Sequence, residues 1–124
     1  MALKTETQGP YAFLYSEAEG TLSREAIVLA SGAGELLAGT VLGKITASGK
    51  YKPYDNDAAD GTQTAVAILA YDTDATSADI AAAAIVRLAE VWQSRLVWGA
   101  GVTTQAEKDA AYNDFATVNI AVRS

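Results

Sequence analysis

Short apolar runs separated by glycine and aspartate turns recur along this chain, and only one late segment keeps a clean helical period. Tyr11, Phe13 and Tyr15 alternate with Ala12 and Leu14, which suits a strand that pairs with something. They follow a polar start punctuated by Gly9 and Pro10, so residues 1–20 are expected to form an extended arm. Residues 24–30, REAIVLA, are apolar and β-branched enough for a strand, and SGAGELLAG after them is a glycine-rich turn region. TVLGKIT predicts the next strand, and Ala47–Lys50 a turn in which Gly49 suits positive φ. Pro53 demotes Tyr51–Tyr54 to an edge or irregular piece, because proline cannot donate to a ladder. DNDAADG is a polar loop, and TQTAVAILAYDT a strand with Val66, Ile68 and Leu69 apolar.

The segment DIAAAAIVRLAEVWQSRLVW reads two ways. Its alanines favour helix, and Ile80, Ala84, Arg87, Leu88 and Val91 can be placed at helical spacing. Ile85, Arg87, Ala89 and Val91 also alternate with Val86, Leu88, Glu90 and Trp92, as in a strand. Further on, Glu107 sits three residues past Thr104 in a capping-box pattern. Ala106, Ala110, Ala111 and Phe115 then make a helical face ending near Thr117, and NIAVRS is a short last strand. No internal repeat or low-complexity linker divides the chain. The expected fold is β-rich α+β: a compact single domain of short strands with one short late helix, residues 21–124, and an extended N-terminal arm, residues 1–20.

Composition narrows the chemistry. At 124 residues the chain is one domain long, and half of it is hydrophobic. A net charge of −6 repels phosphate backbones and anionic bilayers, so neither nucleic acid nor membrane is an expected partner. The absence of cysteine and histidine removes disulfides, the usual zinc sites and Ser-His-Asp or Cys-His catalysis. No apolar run approaches the ~20 residues that span a bilayer. MALKTETQGP has no apolar h-region, so a secretory signal is not expected and the product should stay in the cytoplasm or join an assembly built there.

Three motifs invite a sharper reading. GTVLGKI, Gly39 to Ile45, looks like a phosphate loop, but only three residues separate Gly39 from Gly43-Lys44 and no hydroxyl follows the lysine. A turn follows where a helix should present its amides, so a strand between glycines is the better reading. DNDAADG resembles a calcium loop, yet counted from Asp55 the third acid falls at position 6 and Val66 stands at position 12. A carboxylate-dependent enzyme would need two of Asp55, Asp57, Asp60, Asp72 and Asp74 to converge, but these acids lie in turn-like segments with no base between Asp55 and Asp79. No catalytic residue, cofactor or metal is therefore expected. Trp92 and Trp98 serve either as core or as a protein interface, where tryptophan is enriched. Arg87 and Arg95 fit surface positions with buried stems.

From Leu22 onward the order of motifs resembles the lambda-like phage head decoration proteins. TLSREAIVLASG, LAGTVLGKIT, SGKYKPYD, Asp60-Gly61, AVAILAYDTDA, VRLAEVWQSRLVWGAGVT, an Ala-rich helix and IAVR follow in series over about four-fifths of the chain. The resemblance implies a β-rich single domain, which tips Ala83 to Val91 toward strand. It implies a non-enzymatic cement protein that binds the outside of the expanded head as a homotrimer and holds the shell against packaged DNA. Its partners would be the major capsid protein and itself. Its place would be the virion surface, after assembly in the host cytoplasm. The family's arm adds a strand to the capsid, which here corresponds to residues 2–20, with Leu3, Thr5, Thr7, Tyr11, Phe13 and Tyr15 as capsid-binding positions. Trp92, Val97 and Trp98 are the candidates for the threefold interface. The competing expectation is another particle-surface module that binds a host surface or carbohydrate, with Trp92 or Trp98 outward and the arm irrelevant.

Overall fold

A computed structural model describes residues 9–18 and 22–124. Among the described residues ten strands run in chain order. They are β1 (Leu14–Glu17), β2 (Arg24–Leu29), β3 (Gly34–Leu36), β4 (Val41–Lys44), β5 (Tyr51–Pro53), β6 (Ala65–Leu69), β7 (Thr73–Ala75), β8 (Ile80–Ile85), β9 (Ala89–Trp92) and β10 (Ile120–Arg123). The helix α1 (Gln105–Ala116) lies between the last two, and a 3-10 turn, Gln93–Arg95, leaves β9. The β-rich α+β expectation holds.

Five strands close into a barrel in the order β2-β5-β4-β6-β8. The other sheets are β1-β9-β10 and the pair β3-β7. The barrel encloses Ile27, Leu29, Leu42, Tyr51, Ala67, Leu69, Ala82 and Ala84. A second core lies outside the wall, where Val41, Ile68 and Ile85 meet Phe13, Val91, Ala111, Phe115 and Ile120 from the three-stranded sheet and the helix. Strands β4 and β6 are thus covered on both faces, which is why VLG and AVAIL read as near-continuous apolar runs.

The alanine-rich segment is strand. β8 pairs antiparallel with β2 along its whole length, with Ile27 opposite Ala82 and Glu25 opposite Ala84. Ala82 and Ala84 face the barrel interior, where a narrow five-stranded core has room for methyl groups beside Leu29 and Leu42. Tertiary pairing overrides alanine's helix preference there. Leu88, at φ 52°, turns the chain from β8 into β9.

Two local readings need correction. Tyr51–Pro53 is not a loose edge: it pairs with β4 from Leu42↔Pro53 to Lys44↔Tyr51 and touches β2 at Leu29↔Tyr51. Pro53 is tolerated because it is the last residue of the strand. The helix is capped as expected, with the Thr104 side chain accepting from the Glu107 N–H, but its buried residues are Ala111 and Phe115 while Ala106 is exposed. Beyond these, SGAGELLAG holds the three-residue strand β3, which starts at Gly34 and lies between Gly32 and Gly39, all three glycines at positive φ.

GTVLGKI is strand β4. Gly43 is needed for a close approach, since a Cβ there would lie 2.5 Å from the Thr62 Cα. The acids around it have structural partners. Asp60 pairs with Lys52 at 2.7 Å and accepts from the Thr62 N–H and hydroxyl, Asp55 accepts from the Asp57 N–H, and Asp74 holds the Thr76 turn. Asp72 accepts from the Ala38 N–H. Among the described residues no group of three or more acids is placed to hold a metal.

Candidate functional site

Of the residues singled out from the sequence, Tyr15 of β1 meets Trp92 of β9, and Trp98 lies apart from them against Tyr54 and Tyr112. Leu3, Thr5 and Thr7 lie outside the described residues. Pro10–Phe13 form a turn in which Tyr11 has φ 58°. The Tyr11 N–H donates to the Ala70 carbonyl at 2.8 Å, and its ring lies under the Arg24 guanidinium at 4.1 Å. Phe13 is fully buried in the second core. Its carbonyl accepts from the Trp92 N–H at 2.8 Å, and the neighbouring Ala12 carbonyl accepts from Arg95 at 3.0 Å. So the alternating aromatic stretch does pair with something: its own domain, through β9.

An irregularity in the β1–β9 register between Leu14 and Ser16 lifts Tyr15 out of the ladder. Tyr15 is 54% exposed, and its ring meets Trp92 edge-on at 4.6 Å. This aromatic pair marks the open face of the three-stranded sheet. Beside it Ser16 donates to Glu90 Oε2 at 3.0 Å and Arg123 donates to Glu90 Oε1 at 2.5 Å, a line across all three strands. The Arg123 guanidinium, and next the Ser16 hydroxyl, hold the Glu90 carboxyl below the ordinary carboxylate range. A polar ladder with one aromatic pair is a surface suited to a protein partner.

Val97 and Trp98 follow the 3-10 turn. Val97 bridges to Thr40, donating to the Gly39 carbonyl at 2.8 Å and accepting from Val41 at 2.9 Å, and its side chain is half-buried. Trp98 is also half-buried. Tyr54 lies against it at 6.3 Å, Tyr112 at 5.8 Å, and the Lys108 ammonium over its ring at 5.8 Å. The structure therefore separates the two tryptophans: Trp92 sits with Tyr15 on the sheet face, and Trp98 in a groove against the helix.

Sequence reasoning did not find Glu90, Arg123, Lys108 or Tyr112. Glu90 and Arg123 are far apart in the chain and meet only because β10 runs parallel to β9. Lys108 and Tyr112 do carry a local signal, since residues four apart share one helix face.

Residues 3–120 match the family described as bacteriophage lambda head decoration protein D. No curated protein matches the chain.

Proposed function

Because the chain belongs to the bacteriophage lambda head decoration protein family, we propose that it is a cement protein that binds the outer surface of the expanded capsid. The family is a structural one, and we read this member as non-catalytic. It assembles in the host cytoplasm and ends on the virion. Its partner is the major capsid protein, and it acts as a homotrimer that resists the outward pressure of packaged DNA.

One observation carries the mechanical part of this reading. Residues 11–17 are built into the core through Phe13 and β1, so whatever residues 1–8 grip is coupled directly to the folded body. Residues 1–8, with Leu3, Thr5 and Thr7, are the proposed capsid strand, adding main-chain hydrogen bonds to a sheet edge. Tyr15 extends that contact from the body. Phe13 serves from inside, fixing the root of the arm. Trp92 and Val97 are the proposed contacts between copies. Three arms per trimer convert weak single contacts into firm attachment by raising effective concentration.

The test is binding to expanded capsids that lack this protein, comparing the full chain with one that starts at Gly9. Loss of binding by the shortened chain, with an unchanged circular dichroism spectrum, supports the arm as anchor. Equal binding by both moves the anchor to the folded body. If neither binds any expanded capsid, the cement reading itself fails.

A further inference from the structure

The groove beside Trp98 has a composition unlike the rest of the acidic surface. It has a volume of about 420 Å3, and its walls include Gln93, Ser94, Trp98, Gln105, Lys108 and Tyr112. We propose that this groove is a binding site for a neutral pyranose ring, such as the terminal sugar of a glycan.

The aromatic floor is rigid. Trp98 is braced by Tyr54 at an interplanar angle of 66° and by Tyr112 at 61°. Tyr54 is itself buried, and its hydroxyl donates to the Glu107 carbonyl at 2.9 Å. A ring held this way loses little freedom when a ligand packs on it. Trp98 and Tyr112 remain half-buried, so each keeps surface open to the groove. A pyranose offers a C–H face to such rings and a rim of hydroxyls to polar groups around them.

The rim is present. Among the described residues neither Gln93 nor Ser94 is engaged in a side-chain hydrogen bond, leaving an amide and a hydroxyl that both donate and accept. Gln105 uses its amide nitrogen on Asp109 at 2.9 Å and keeps its carbonyl oxygen as an acceptor. Lys108, already over the Trp98 ring, disfavours a cationic occupant. A purely apolar occupant would strand the amides without partners. An anionic one would meet a single lysine on a protein of charge −6. A neutral polyol with one apolar face satisfies all three constraints.

This inference stands apart from the capsid reading. The test titrates the full chain with the methyl glycosides of glucose, galactose and N-acetylglucosamine, read by amide NMR shifts. The expected result is saturable shifts at the Gln93 and Gln105 side-chain amides and at Trp98 with at least one glycoside. Gln105→Ala, at the exposed start of the helix, should weaken that binding at least tenfold without altering the fold, and Tyr112→Leu should abolish it. The inference is overturned if no glycoside gives saturable shifts, if the shifts map elsewhere, or if Gln105→Ala binds as the parent does.

Discussion

Phe13 offers the sharpest test of how the arm is joined to the domain. It has no exposed surface and packs with Val91, Phe115 and Ile120 in the core outside the barrel wall. Replacing it with alanine leaves a cavity among these packed side chains, at a cost of about 3–5 kcal/mol. For a chain of this length each kcal/mol lowers Tm by roughly 3–6 °C, so the midpoint of thermal unfolding by circular dichroism should fall by roughly 10–30 °C. Deleting residues 1–20 removes the same side chain and more. It strips the Phe13 carbonyl from Trp92 N–H and the Tyr11 and Ala18 N–H groups from Ala70 and Leu88. At roughly 1 kcal/mol for each lost hydrogen bond, the sum approaches the ~5–15 kcal/mol that holds an average domain together. That truncation is expected to unfold. A loss of under about 1 kcal/mol in Phe13→Ala, or a normal melting curve after removal of residues 1–20, would refute the reasoning.

Gly43→Ala forces a methyl group against the Thr62 backbone, 2.5 Å from Cα and 2.7 Å from the carbonyl oxygen. It should destabilise by about 1–3 kcal/mol or more in urea unfolding, and a neutral result would mean the 60–62 loop moves freely. Thr104→Ala removes the cap on the Glu107 N–H and should cost about 1 kcal/mol by the same assay. Glu90, Asp60 and Asp79 all have carboxyl pKa values lowered in the fold, first by hydrogen bonds from Arg123, Lys52 and Lys50 respectively. A folded pKa below the unfolded one contributes stability that is full above about pH 4 and is lost as pH falls through the depressed values. The urea midpoint should therefore drop on acidification below about pH 4, and Glu90→Gln should flatten that drop; equal slopes in parent and variant would show that the Arg123 pair contributes nothing.

Several features were legible in the sequence because they are local. The strands at 24–29, 41–44 and 65–69 come from apolar, β-branched runs between turns. The helix announces itself through Thr104 and Glu107 three residues apart, and the failure of GTVLGKI as a phosphate loop follows from counting. Charge and the missing cysteine and histidine bound the chemistry for the same reason: composition needs no fold. The order of motifs carried the family. Tertiary structure decided what depends on distant partners. Alanine alone leaves residues 80–85 undecided, and pairing with β2 inside a narrow barrel makes them a strand. Pro53 looks like an edge until β5 is seen closing the barrel with its prolyl nitrogen at the strand's end. The aromatic stretch reads as a strand that pairs with something, and only the fold shows that β1 pairs with β9 and that Phe13 lies in the core, because a period of two says that a strand pairs, not with what. Glu90 with Arg123, and Trp98 with Lys108 and Tyr112, become sites only when β10 and α1 are laid against the rest, since contacts between remote residues leave no trace in local spacing.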